Sequence, residues 1–251
     1  MKRGPIEAIE LAMVKQYRKR VSRRVYAETG GVVRYGVFKG LKLENGSHIS
    51  DGPLAMKVLG LYETELTEAI TQRRFETIVN MGGGDGYFSV GFLHAGLAQR
   101  SVTFELDPKG RETIERNARS NGVADRITIL GPAGRDFAQQ VLAQGIDPAQ
   151  TLIVCDIEGA EFDLLTAETV EKLAGATWGI ELHSKPGSKE ERQLEAAFAP
   201  THRTRIIKAT PRQWAGMPEI EALRDYDRAL VTCEGRKGLG TWLVAEPRSS
   251  H

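Results

Sequence analysis

Three carboxylates fall within six residues of the segment LIVCDIEGAEFDLL, at Asp156, Glu158 and Glu161, and IELHSKPG sets Glu181 and His183 two positions apart. Such groups do proton transfer or bind a divalent cation, since an imidazole titrates near neutrality and carboxylates are oxygen ligands. A third stretch, NMGGGDGYFSVG at residues 80–91, packs five glycines into twelve positions directly after the apolar run Thr77, Ile78 and Val79. Glycine admits positive φ and close approach of another group to the backbone, so this turn can hold a ligand against bare main chain.

These groups need elements to position them. Short apolar runs at Thr77–Met81, Ser101–Glu105, Ile127–Leu130, Leu152–Asp156 and Thr177–Leu182 alternate with helical periodicities such as PKGRETIERNARSNG. Strands and helices in alternation predict a parallel sheet covered on both faces. HRTRIIKAT and GTWLVAE predict a sixth and a seventh strand, and Ile220, Leu223, Leu230 and Val231 have roughly helical spacing between them. Upstream, Ile6, Ile9, Met13, Tyr17, Val21 and Val25 form one stripe of an amphipathic helix that needs a partner surface. GGVVRYGVFKGLKLENGSH predicts short strands and a turn at Asn45-Gly46, and LAMKVLGLYETELTEAI a further helix. Residues 1–76 are expected to form a cap and residues 77–251 the core.

In an open α/β sheet the ligand lies beyond the carboxyl ends of the strands, at the turn into the first helix. Residues 80–91 are at that place. A dinucleotide fingerprint requires glycine at the third position of G-x-G-x-x-G, but counting from Gly82 that position is Tyr87, and counting from Gly84 it is Ser89. The turn instead suits a ligand without phosphates, such as S-adenosylmethionine. Glu105, at the end of the second strand, is placed to accept hydrogen bonds from two ribose hydroxyls.

With the glycine turn running into GYFSVG, the acid ending the second strand and D-x-E-G-x-E at Asp156, Glu158 and Glu161, the chain resembles the FkbM-like branch of class I S-adenosylmethionine-dependent methyltransferases. VVRYGVFKGLKL, LGLYETEL, IELHSKPG and FAPTHRTRII extend the resemblance over most of the chain. It implies an α/β fold with a Rossmann-like, doubly wound, seven-stranded, mostly parallel sheet. It also implies cofactor contacts from Asn80, Gly82, Gly83, Gly84, Tyr87, Glu105, Leu106, Ala133 and Asp156. Two departures stand out. Asn80 occupies a position where the family places an acid near the methionine part of the cofactor, and GPAG after the third strand lacks an acid for the adenine amino group, leaving that contact to backbone around Ala133.

Methyl transfer from a sulfonium is an in-line displacement that depends on alignment, and a hydroxyl acceptor must also lose its proton. Asp156 ends the fourth strand, and Glu181 and His183 end the fifth on one face, because strand side chains alternate. The catalytic expectation is His183 as base, with Asp156 and Glu181 beside it. A second version makes Asp156, Glu181 and His183 ligands of magnesium or a similar ion. The bland alternative pairs Glu181 with an Arg or Lys and leaves His183 capping a loop. The expected activity is methyl transfer to a hydroxyl oxygen of a small metabolite, a sugar or natural-product intermediate. The alternatives are an N-methyltransferase, an NAD-dependent dehydrogenase, and a non-catalytic cofactor- or RNA-binding protein.

The totals agree with a soluble enzyme. No apolar run approaches the ~18 residues of a membrane span, and the amino-terminal stretch lacks a signal-peptide core, so a cytoplasmic location is expected. Cys155 and Cys233 have neither disulfide nor metal-ligand spacing. Residues 1–24 carry eight basic side chains against Glu7 and Glu10, a local +6 that leaves −5 on the rest of a chain whose net charge is +1. Without an aromatic or nucleic-acid motif this reads as a solvated helix face, so the expected partner is a small-molecule acceptor, with no nucleic acid and a homo-oligomer left open.

Overall fold

The seven apolar runs from residue 75 onward become the strands of one sheet. The computed structural model describes residues 5–44, 53–236 and 238–248. In chain order its elements are α1 (Pro5–Thr29), α2 (Leu54–Val58), α3 (Thr64–Ile70), β1 (Phe75–Met81), α4 (Tyr87–His94), β2 (Ala98–Phe104), α5 (Pro108–Ser120), β3 (Ile127–Leu130), α6 (Phe137–Ala143) and β4 (Thr151–Cys155). They continue as α7 (Glu161–Leu164), α8 (Ala167–Lys172), β5 (Thr177–Glu181), α9 (Lys189–Phe198), β6 (His202–Lys208), α10 (Pro218–Glu221), α11 (Asp225–Val231) and β7 (Thr241–Pro247).

The strand order is β3-β2-β1-β4-β5-β7-β6, parallel throughout except that β7 runs antiparallel to both its neighbours. The fold is therefore the Rossmann-like, mostly parallel seven-stranded sheet that the sequence predicts. Side chains alternate across it. Leu152, Val154, Trp242 and Val244 pack beneath α1 to α5, whereas Ile153, Cys155, Leu243 and Ala245 pack against α6, α8 and α9. The order reverses between β1 and β4, where Met81 is level with Cys155. Such a switch point opens a crevice at the carboxyl ends of the strands. Glu105, Asp156 and Leu182 lie just past the ends of their strands.

The amino-terminal segment differs from its sequence pattern in three ways. The region from Leu54 to Ile70 is two helices, because the chain turns at Gly60, whose φ is +68° and where a Cβ would lie 2.1 Å from the Tyr35 carbonyl oxygen. Between Val32 and Leu43 only a single antiparallel bridge, Val32 to Lys42, replaces the expected strands, and the turn predicted at Asn45-Gly46 lies outside the described residues. The stripe on α1 is buried only in its second half: Val21 and Val25 join the core, but Ile6, Ile9 and Met13 are 73%, 61% and 67% exposed. Arg18 is not simply solvated. Its guanidinium donates to the carbonyls of Leu230 in the last turn of α11 and of Cys233 and Glu234 beyond it, at 3.1, 2.5 and 3.1 Å. The helical pattern around residue 220 is likewise broken, into α10 and α11.

Candidate active site

The glycine turn is a cradle built by steric necessity. At Gly82, with φ +83°, a Cβ would sit 1.8 Å from the Asp156 carbonyl oxygen; at Gly83 it would sit 2.4 Å from Thr103 Cγ2. The Gly82 and Gly83 amides both donate to the Phe104 carbonyl, at 3.0 and 2.9 Å, which ties the turn to β2. Glu105 is buried beneath it and accepts from the Gly84 amide through Oε2 at 2.7 Å and from the Asp107 amide through Oε1 at 2.8 Å. Gly110 leaves the room this carboxylate needs, since a Cβ there would meet Glu105 Cγ at 2.8 Å. Leu106 follows it and is 74% exposed at the crevice mouth. Ala133 is half-buried after β3.

Asn80 is buried on β1 and donates weakly to the Gly82 carbonyl at 3.3 Å. Tyr87 opens α4 with its ring packed edge-on to Phe38, Tyr62 and Phe88, at centroid distances of 5.2, 5.5 and 5.5 Å. Burial raises its phenol pKa, so it stays protonated. Asp85, in the turn itself, pairs with Lys57 of α2 at 2.7 Å and also accepts from the Tyr87 amide at 3.1 Å.

Across the switch point the ends of β4 and β5 bring the chemical groups together. His183 Nε2 faces Asp156 Oδ1 at 3.5 Å, Glu181 Oε1 at 3.6 Å and Glu158 Oε2 at 3.7 Å. Its other nitrogen, Nδ1, lies 3.1 Å from Glu161 Oε1, which also accepts from the His183 amide at 3.1 Å. Glu161 is wholly buried, and its second oxygen takes the Gly159 amide at 2.8 Å. Burial opposes its charge, but the bonds from His183 and the backbone outweigh that and hold its pKa below the usual carboxylate range. An ionised Glu161 assigns the proton to Nδ1 and leaves Nε2 as the free base nitrogen. The Glu161 hydrogen bond, followed by the charges of Asp156 and Glu158, raises the His183 pKa even against burial. Asp156 is also raised, chiefly by burial. Glu158 reaches its place through a left-handed backbone, φ 56°, a conformation that costs a non-glycine residue roughly 1 kcal/mol or more.

Behind this face stands a charged network that links distant segments. Arg236 pairs with Glu181, with Glu234 and, at 2.9 Å, with Glu63. Glu63 precedes α3 in a left-handed conformation, φ 44°, and is pushed up to about 7 by burial and then by the Asp156 charge. Arg212 completes the network through both oxygens of Glu65 at 2.6 Å and through Glu234. Glu181 therefore has the arginine partner that the bland alternative supplies for it, while the His183 side chain is 20% exposed among four carboxylates. Among the described residues two sets of potential ligand atoms lie within 4.8 Å of one another, Asp156 with Glu158 and His183, and Glu63 with Asp156 and Glu181. The expected metal trio is divided between them.

Sequence reasoning placed Asp156, Glu181 and His183 together but missed Glu161 as the partner of His183, because an acid opening a helix also reads as a dipole partner. It missed Glu63, Arg236 and Lys57 because nothing local announces contacts made across the chain.

No family model matches the chain. Over 57 residues, 23% of its length, it is 37% identical to the ribosomal protein L11 methyltransferase of Alteromonas mediterranea, and it spans about a fifth (19%) of that curated relative. Among solved structures, an O-methyltransferase from Bacillus cereus in complex with SAH superposes with a TM-score of 0.52 at 14% identity, covering 91% of each chain. The chain has that fold. The B. subtilis M1A22 tRNA methyltransferase superposes with a TM-score of 0.46 at 11% identity, over 73% of this chain and 64% of that one. Among the described residues no helix is long and apolar enough to cross a membrane.

Proposed function

We propose that the chain is an S-adenosylmethionine-dependent methyltransferase of the FkbM-like branch, acting in the cytoplasm on a hydroxyl oxygen of a small metabolite, a sugar or natural-product intermediate. The observation that carries this reading is an oriented imidazole beside a glycine cradle at one switch point, with the Gly82 turn packed on the Asp156 backbone. The cradle's residues fit the cofactor. Gly82, Gly83 and Gly84 offer bare main chain, and each Glu105 oxygen holds one amide while keeping a lone pair for a ribose hydroxyl. Leu106 and Ala133 flank the place for the adenine. When bound, the cofactor supplies an electrophilic methyl on a sulfonium.

The remaining work belongs to this chain's side chains. Nε2 of His183 takes the acceptor's proton, and Glu161 holds the ring and offsets the charge that appears on it, the arrangement by which an acid orients a general base. Asp156 and Glu181 line the same space and orient the acceptor, and residues 1–76 close over it as a cap on the methyltransferase domain of residues 77–251. A magnesium version would use Asp156, Glu158 and His183. Arg236 already sets a positive charge between Glu63 and Glu181, which opposes a cation at the other set, Glu63, Asp156 and Glu181.

The test is incubation with methyl-labelled cofactor and a panel of hydroxyl- and amine-bearing acceptors, with and without chelator. The expected product carries the label on oxygen at an unchanged rate in chelator. Label on nitrogen, or a loss restored by magnesium, overturns the respective part. His183→Ala is expected to lower turnover by roughly 100-fold or more, the usual scale of a lost general base, with cofactor affinity kept. Calorimetric binding of NAD in place of S-adenosylmethionine would replace the whole reading with a dehydrogenase.

A further inference from the structure

Lys57 has an unusual position for a lysine. It lies on α2, its side chain is 9% exposed, and its ammonium meets the 7% exposed Asp85 at 2.7 Å. Asp85 is the residue between Gly84 and Gly86 of the turn, and the Asn117 amide holds its backbone carbonyl at 2.7 Å. An ammonium carries three donors, and a buried one is costly unless they are used. Among the described residues Asp85 is its one oxygen acceptor. The rings of Tyr62 and Tyr87 lie 5.0 and 5.7 Å from it. Two donors of a buried cation are thus left beside the cradle. Asn80, on β1 just before the turn, brings no charge of its own.

The amino-acid tail of S-adenosylmethionine carries an ammonium and a carboxylate. We propose that Lys57 and Asp85, a buried ion pair at the glycine turn, recognise that tail, with Lys57 donating to its carboxylate and Asp85 facing its ammonium. The inference rests on the cofactor reading above and deepens it. It assigns to Asp85 the negative charge that Asn80 does not supply, and to Lys57, a side chain of the amino-terminal segment, recognition of the tail's carboxylate, so that docking of that segment completes the cofactor site.

The rival is a staple that only fixes α2 to the turn. Calorimetry on the full chain separates the two, using S-adenosylhomocysteine, its carboxamide, and 5′-methylthioadenosine, which has no amino-acid tail. Wild type is expected to bind the acid tighter than the carboxamide by roughly 10- to 100-fold, the range of a hydrogen bond to a charged group. Lys57→Met is expected to erase that difference while leaving 5′-methylthioadenosine within about twofold, and Lys57→Arg to keep part of it. Equal losses for the tailed and tailless ligands in Lys57→Met overturn the proposal and establish the staple. Equal binding of acid and carboxamide by wild type overturns it without needing any variant to fold. If wild type binds 5′-methylthioadenosine without tail preference, only this inference fails. If it binds none of the three, the cofactor reading fails with it.

Discussion

At the scale of single residues the site depends on one hydrogen bond. Glu161 fixes the tautomer of His183 and, as the largest cause, raises its pKa above the ordinary 6.5. A base works unprotonated, so turnover should climb as pH rises through that elevated value. Glu161→Gln removes the charge, and the climbing limb of the pH–rate profile is expected to move to lower pH while the maximal rate falls. An unmoved limb would assign the titration to another group. The sign for stability is opposite to that for rate. A histidine pKa raised by folding contributes stability that is fully present below its unfolded value and is lost as pH rises through the folded one. The lowered Glu161 contributes stability above its unfolded value and loses it as pH falls through the folded one. Asn80 was legible as a departure from the family pattern; the ion pair that Asp85 makes was not, because Lys57 approaches from a separate helix.

At the scale of elements, α3 links the sheet to the charged network around Arg236. It lies on β5 at Gly179, where a Cβ would press on Leu66 Cδ1 at 2.8 Å and Ile70 Cγ2 at 3.2 Å, and its first residue follows Glu63. Glycine inside a strand often marks such a close approach. Gly179→Ala is therefore expected to cost about 1–3 kcal/mol, the scale of an overpacked core, read as a lower urea midpoint at constant slope. Displacement of α3 should also move Glu63 against Arg236, raising KM for the acceptor more than for the cofactor. Equal stability to wild type would mean that α3 yields freely. The five parallel strands were readable as short continuous apolar runs, and β6 and β7, which pair antiparallel, by their β-branched and aromatic residues. The break between α2 and α3 was not, because it is imposed by Tyr35 crossing at Gly60, a contact that leaves no periodicity in the sequence.

At the scale of the whole molecule, charge and burial divide along α1. The strongly basic amino-terminal region faces a remainder of opposite net charge, and Arg18 joins the two through carbonyls at and beyond the end of α11. The first half of α1 buries little, so removing residues 1–16 is expected to change stability by less than about 1 kcal/mol, a shift of a few degrees at most in the thermal midpoint. RNA retention should be equally unaffected. A large, salt-sensitive loss of retention would make this helix a nucleic-acid contact, since phosphate binding weakens steeply with salt.

Local pattern by itself determined the strands, the glycine turn and the identity of Glu105, Asp156, Glu181 and His183, because apolar runs, turn chemistry and strand-end position are properties of neighbouring residues. Only the tertiary structure decided which acid holds the imidazole, that Arg236 stands between Glu63 and Glu181, and that a lysine of α2 meets the turn. Those pairings join residues far apart in sequence, and they are selected by the packing of whole elements, where a buried charge is tolerated only with a partner at hand.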